Sequence, residues 1–245
     1  TGEVLHQDSA DAYRYPASLT KMMTLYIVFE MLETGRLARD TMLEVTPRAA
    51  DAQPTKLGLA AGERISLGDG IKALVTKSAN DVALTIAENL GGSEEKFARY
   101  MTWKARQLGM KNTVFRNASG LPNPAQRTTA RDLATLSLRL YDDFPQYWSF
   151  FKTGAFVHRG RRYRNHNALL SSFKGTDGIK TGYTRASGFN LATSAHRDGK
   201  HVIGVVLGGR SSRARNARMR ELLSKAFAKA STQKTRKKTR MPESP

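Results

Sequence analysis

Cysteine is absent from the 245 residues, which excludes disulfides and thiolate-bound metal but leaves the compartment open. No stretch reaches the roughly eighteen apolar residues that a bilayer-spanning helix requires. Acidic residues are scarce: 21 Asp and Glu stand against 40 Lys and Arg, a formal net charge of +19. That imbalance suits a polyanionic partner, whether nucleic acid, anionic lipid or an acidic wall polymer. The opening residues do not read as a signal peptide. Thr1-Gly2-Glu3-Val4-Leu5 instead reads as the middle of a strand, so a trimmed product with a clipped N-terminal strand is expected.

The length suits one substantial domain or two closely joined lobes. The strongest local signal is Pro16-Ala17-Ser18-Leu19-Thr20-Lys21 and the apolar run after it, Met22 to Leu32. A helix apolar on every side has to be buried. Pro16 marks its start and Gly35 its stop, which predicts a core helix over residues 18–34. Ser18 and Lys21, three residues apart in its first turn, then share one face. A serine hydroxyl needs a base to become a nucleophile. A lysine surrounded by Met and Phe side chains loses hydration and with it part of its proton affinity. Ser18 as nucleophile and Lys21 as base is the chemistry this pair suggests. The spacing alone says little, since Ser93–Lys96, Ser149–Lys152, Ser171–Lys174 and Ser231–Lys234 share it. Only Ser18 opens a long apolar helix.

A short strand is expected at Val4–Gln7, then a loop-rich stretch from Thr41 to Gly70 broken by Pro and Gly. Val82, Ile86 and Leu90 mark a helix face closed by Gly91-Gly92, and helices are predicted over 94–108 and 129–141. Residues 156–163 read as a hairpin. Strands follow at 179–184, 189–195 and 202–207, then a last helix through Phe227. Helices in the middle and an antiparallel sheet at the end give an α+β class. Residues 1–228 are read as one catalytic domain, and 229–245 as a basic, disordered tail.

Two further clusters carry chemistry. In an extended segment Ser78 and Asn80 would point the same way, toward one cleft, although on this stretch alone Asn80 or Asp81 capping the following helix is the favoured reading. Lys180-Thr181-Gly182 sits on a strand, offering a cation, a hydroxyl and a position where a ligand can approach the backbone. Lys152-Thr153-Gly154 repeats the triplet, but Lys180 follows Asp177-Gly178 and leads two more strands.

Ser18-x-x-Lys21, Ser78-x-Asn80 and Lys180-Thr181-Gly182, in that order, resemble the motif set of penicillin-binding proteins and serine β-lactamases. The flanks Pro16–Thr24, Ser78–Ala83, Asn117–Pro122, Thr128–Ala134 and Asp177–Thr184 more narrowly resemble low-molecular-mass serine-type D-alanyl-D-alanine carboxypeptidases, the peptidase S11 family. The resemblance covers residues 1–228. It implies a β-lactamase/penicillin-binding-protein-like transpeptidase fold: an antiparallel sheet flanked by helices, plus an all-helical lobe.

It also implies roles. Ser18 attacks the carbonyl between two terminal D-alanines of a peptidoglycan stem peptide, Lys21 takes its proton, and Ser78 relays it to the leaving D-alanine. Asn80 holds the substrate backbone, Lys180 and Thr181 meet the terminal carboxylate, and backbone N–H groups of Ser18 and Tyr183 form the oxyanion hole. Gly182 completes the triplet. Placing Val205–Gly208 against the family's last strand puts Arg215 where these enzymes carry a carboxylate-binding arginine. β-Lactams would acylate Ser18, and the expected setting is peptidoglycan and cell-wall biogenesis, with a role in cell shape, in the periplasm or envelope. The alternative is a serine β-lactamase of the same fold, but the Glu-x-x-Leu-Asn run of that class is missing between Asn80 and Lys180. Nucleic acid would explain the charge and none of the motifs. The basic tail is expected to contact wall polymer or anionic membrane. His6, His158, His166, His196 and His201 show no ligand spacing and read as structural or surface groups, so neither metal nor cofactor is implied.

Overall fold

The computed structural model describes residues 1–234. Ala17–Thr20 form a 3-10 turn that runs directly into helix α1 (Lys21–Glu33). Every α1 residue from Lys21 to Glu30 is buried, as a helix apolar on all sides requires. Helix α1 is the axis of the helical lobe. Around it lie strand β1 (Met42–Glu44), helix α2 (Pro47–Ala50), strand β2 (Arg64–Ser66), and helices α3 (Leu67–Thr76), α4 (Asn80–Gly91), α5 (Glu94–Gln107) and α6 (Ala130–Asp143). β1 and β2 pair antiparallel inside the stretch expected to be loop. Short polar side chains start most of these helices: Ser66, Ser93 and Thr129 each accept from the backbone N–H three residues on. Ser93-x-x-Lys96 is therefore a helix cap.

A 3-10 segment, Pro145–Lys152, leads to the hairpin β3 (Ala155–His158) and β4 (Arg161–Arg164). After helix α7 (Leu169–Ser172) come β5 (Thr176–Thr184), β6 (Gly188–Arg197) and β7 (Lys200–Gly209), an antiparallel sheet in sequential order. Helix α8 (Ser212–Lys229) covers one face through Met219, Leu223, Ala226 and Phe227, which meet Leu191, Ala195 and Val202. The other face joins the main core through Ile179 and Ala192. Leu191 and Ala192 thus serve opposite faces, as a period of two dictates.

Three expectations need correction. Val4–Gln7 is not a strand: it pairs with nothing among the described residues, Val4 is exposed, and only Leu5 rests on the apolar cluster under α8. A short run without a neighbouring ladder keeps no strand geometry. Ser18 lies in the 3-10 turn, two residues ahead of Thr20, the N-cap of α1. Ser78 is not extended but has a positive φ of 60°. The proposed tail begins in described coil after Lys229, but residues 235–245 lie outside the described residues.

Candidate active site

α1, the α3–α4 junction, the loop at 117–121 and β5 deliver four sets of groups to one place. At its centre is the Lys21 side-chain nitrogen, fully buried. Nζ lies 3.2 Å from Ser18 Oγ, 2.7 Å from Asn80 Oδ1 and 2.6 Å from the Ser119 carbonyl oxygen. Burial first, and then the positive charge of Lys180, hold the Lys21 pKa well below its ordinary value, against the opposing pull of Asp81 and Glu94. The three neighbours fit a neutral amine. Amide and carbonyl oxygens can only accept, so they take its two N–H bonds. Its lone pair then faces the Ser18 hydroxyl, the one neighbour able to donate.

Asn80 is held so that its oxygen points at Lys21: its Nδ2 donates to Gln53 O at 2.8 Å and its backbone N–H to Thr55 O at 2.7 Å. Asp81 does not cap α4, whose N-cap is Ala79 without a side-chain cap bond. Its carboxylate accepts from the N–H groups of Leu57, Gly58 and Leu59, tying that loop to the site, and from Val82 N–H. Ser78 is buried, and its Oγ makes no hydrogen bond.

Ser18 itself is clamped from two sides. A Cβ on Gly182 would stand 2.9 Å from Ser18 N and 3.2 Å from Ala17 Cβ, and one on Gly120 would overlap the Ala17 carbonyl. Glycine at both positions lets β5 and the 117–121 loop close on the turn that carries Ser18. The register puts Lys180 opposite Ala192, Thr181 opposite Leu191 and Gly182 opposite Asn190. Lys180 is buried, with Nζ donating to Thr181 O at 3.0 Å. Burial, and secondarily the Arg215 charge, bring its pKa down to about 7. Arg215 is buried on α8 and donates from Nη1 to Asn190 O at 3.1 Å. Arg218 pairs with Glu221 at the surface, so Arg215 is the α8 arginine that joins this region. The Tyr183 side chain is exposed, its ring 4.2 Å from that of Phe189. Lys152, in the decoy triplet, is exposed at the end of a 3-10 segment.

Sequence reasoning missed several supports. Asn190 binds Tyr15 O, Pro16 O and Gly208 N–H through its side chain and so fastens β6 and β7 to the segment before Ser18. A polar residue between Phe189 and Leu191 in a strand was the available signal. Ser119 contributes a carbonyl, which any residue could supply, so no side-chain pattern reveals it. Glu94, whose pKa is raised chiefly by burial, accepts from Ala118 N–H and steadies that loop. His166 has accessible surface yet belongs to the site's electrostatics. Burial and the charges of Lys180, Lys77 and Lys21 push its pKa to about 4, so it is neutral at pH 7. Among the described residues no three His, Asp or Glu side chains gather as a metal site.

The sequence profile of a family described as D-alanyl-D-alanine carboxypeptidase matches residues 1–211. D-alanyl-D-alanine carboxypeptidase DacC of Escherichia coli K12 is 36% identical over 234 residues, covering 93% of this chain and 58% of its own length. The chain thus spans less than two thirds of that relative. The crystal structure of the D-alanyl-D-alanine carboxypeptidase DacD from Francisella tularensis superposes with a TM-score of 0.89 at 30% identity, over 93% of this chain and 68% of that one. Penicillin-binding protein D2 from Listeria monocytogenes, in its ampicillin-bound form, gives 0.84 at 31% identity and 92% of both chains. The fold is that of penicillin-binding proteins, helices with antiparallel sheet.

Proposed function

Because the chain belongs to the D-alanyl-D-alanine carboxypeptidase family, we propose that it is a serine hydrolase releasing the terminal D-alanine of peptidoglycan stem peptides through an acyl-enzyme on Ser18. The observation that carries the reading is the Lys21 amine set between Ser18 Oγ, Asn80 Oδ1 and Ser119 O. Lys21 takes the Ser18 proton as Oγ bonds to the carbonyl carbon. The Ser18 and Tyr183 N–H groups receive the oxyanion. As the C–N bond breaks, the proton passes through Ser78 to the departing amine, and Asn80 keeps the peptide aligned. The D-alanine carboxylate is held by cationic Lys180, Thr181 and Arg215. Water then cleaves the ester, giving its proton back through Lys21. β-Lactams enter the same path and stop at the ester.

The setting we assign is the periplasm or envelope, where the substrate lies. No helix among the described residues is long and apolar enough to cross a membrane. Residues 1–228 would form the catalytic unit. The basic segment 229–245 would contact wall polymer or anionic lipid, an attraction that salt should weaken.

The test is intact mass after incubation with penicillin, adduct mapping, and release of D-alanine from a D-Ala-D-Ala peptide. A single adduct on Ser18, lost in Ser18→Ala with the fold retained, is expected. An adduct that persists in Ser18→Ala would overturn the assignment.

A further inference from the structure

Outside the catalytic groups the molecule has a cleft of about 180 Å3 between the 57–59 loop and the β3–β4 hairpin. Leu57, Leu59, His158, Arg159, Arg161 and Tyr163 line it. We propose that this cleft is a carboxylate subsite for the acidic, upstream part of the stem peptide, a reading that rests on the proposed carboxypeptidase activity.

Arg159 is already neutralised by Glu63 at 2.5 Å. Arg161 has no carboxylate partner among the described residues; its guanidinium stands over the Tyr163 ring, 5.4 Å from the centroid. A guanidinium so placed keeps its donor fork for a planar anion, and a carboxylate fits that fork with two parallel bonds. His158 provides a second, independent sign. Its Nε2 is buried and makes no hydrogen bond. Buried polar atoms are normally satisfied, and an orphan in the wall of a basic cleft calls for an incoming partner.

The 57–59 N–H groups grip Asp81, the residue after Asn80, and the Tyr163 hydroxyl donates to Leu57 O at 3.4 Å. β4 continues into Asn167, whose Nδ2 donates to Gly178 O, two residues before Lys180. One wall is thus tied to α4 and the other to the start of β5, and the hairpin packs on α3 with Lys77 over the Tyr163 ring, which sets the cleft on the helical side of the site. Lys180 and Arg215, which take the C-terminal carboxylate in the proposed mechanism, lie on the sheet side. In the proposed binding mode, a peptide with its scissile carbonyl at Ser18 and its terminus against the sheet runs its other end toward the helical flank. There the remaining carboxylates of a stem peptide meet Arg161.

The experiment compares two substrates: a blocked Lys-D-Ala-D-Ala peptide, with only its terminal carboxylate, and the same peptide extended upstream by acidic residues. Arg161→Glu should lower kcat/KM on the extended peptide about tenfold, mainly through KM, with Arg161→Gln intermediate. The short peptide and the penicillin adduct should change by less than about twofold, which also certifies the fold. Salt should weaken the native preference for the extended peptide. Equal effects on both peptides, or none on either, overturn the subsite while leaving the carboxypeptidase reading intact. A native protein that neither releases D-alanine from the short peptide nor forms the adduct takes both readings down.

Discussion

The two ends of α1 hold a buried lysine against very different neighbours. Near its C-terminal end Lys104 of α5 meets Glu30 at 2.7 Å, both side chains almost wholly buried, with the Trp103 and Tyr100 rings alongside. At its N-terminal end Lys21 meets a hydroxyl, an amide oxygen and a backbone carbonyl, all neutral, with another cation near enough to depress its pKa. A carboxylate in contact stabilises an ammonium in the interior; neutral acceptors and a like charge do not. The first arrangement suits a structural ion pair and the second the base proposed above. The difference lies in the partners, since the two lysines are equally buried.

The largest effect should come from removing the base. Lys21→Arg puts a guanidinium that cannot deprotonate where a neutral amine fits, so penicillin acylation of the folded fraction should fall by about 10²–10⁴-fold. Acylation within a few-fold of native would mean another group takes the proton. Lys104→Met should do the reverse: Glu30 is left buried without its ammonium, at a cost of about 3–5 kcal/mol in denaturant unfolding, while the folded fraction acylates normally. If Lys104→Met instead slowed acylation with unchanged stability, the contrast between the two ends would be wrong.

The sheet side sharpens the comparison further. Arg215→Ala should reduce turnover of free-acid D-Ala-D-Ala peptides about 10–100-fold, and the corresponding amides much less, because only the free acid presents a carboxylate to a guanidinium. Equal losses, or a larger loss from Arg218→Ala, would show that a different arginine reads the chain end. The smallest effect is a shift in pH profile. Lys180 is cationic below its pKa of about 7 and loses its charge above it. Rising pH therefore frees the Lys21 amine but discharges Lys180, so kcat/KM on the free acid should fall above about pH 7. Arg215 contributes to that depression, so Arg215→Ala should move the falling limb to higher pH. A limb that stays in place would assign it to another group.

Much of this was legible from residue order. The apolar run after Ser18 dictated a buried helix, because no face of it could be left to water. The alternation after Asp177 dictated three strands, and tight turns their antiparallel order. Ser18, Lys21, Asn80 and Lys180 were named from motifs, and the structure gathers them. The reasons were sometimes wrong: Ser78 reaches its place through a left-handed backbone, not through strand alternation, and Asn80 faces Lys21 because Gln53 and Thr55 hold it there. Val4–Gln7 had a strand pattern but no partner to pair with.

The sequence by itself determined which segments must be buried, where helices stop, and which side chains carry a hydroxyl, an amine or a guanidinium. Those are local properties of composition and periodicity. Tertiary structure alone decided that the Lys21 amine would find three oxygens and no carboxylate, that Lys104 would find Glu30, and that glycines 182 and 120 would let two distant segments close on Ser18. A pKa depends on which charges and dipoles stand within a few ångströms, and residues 59 and 98 positions from Lys21 supply two of them.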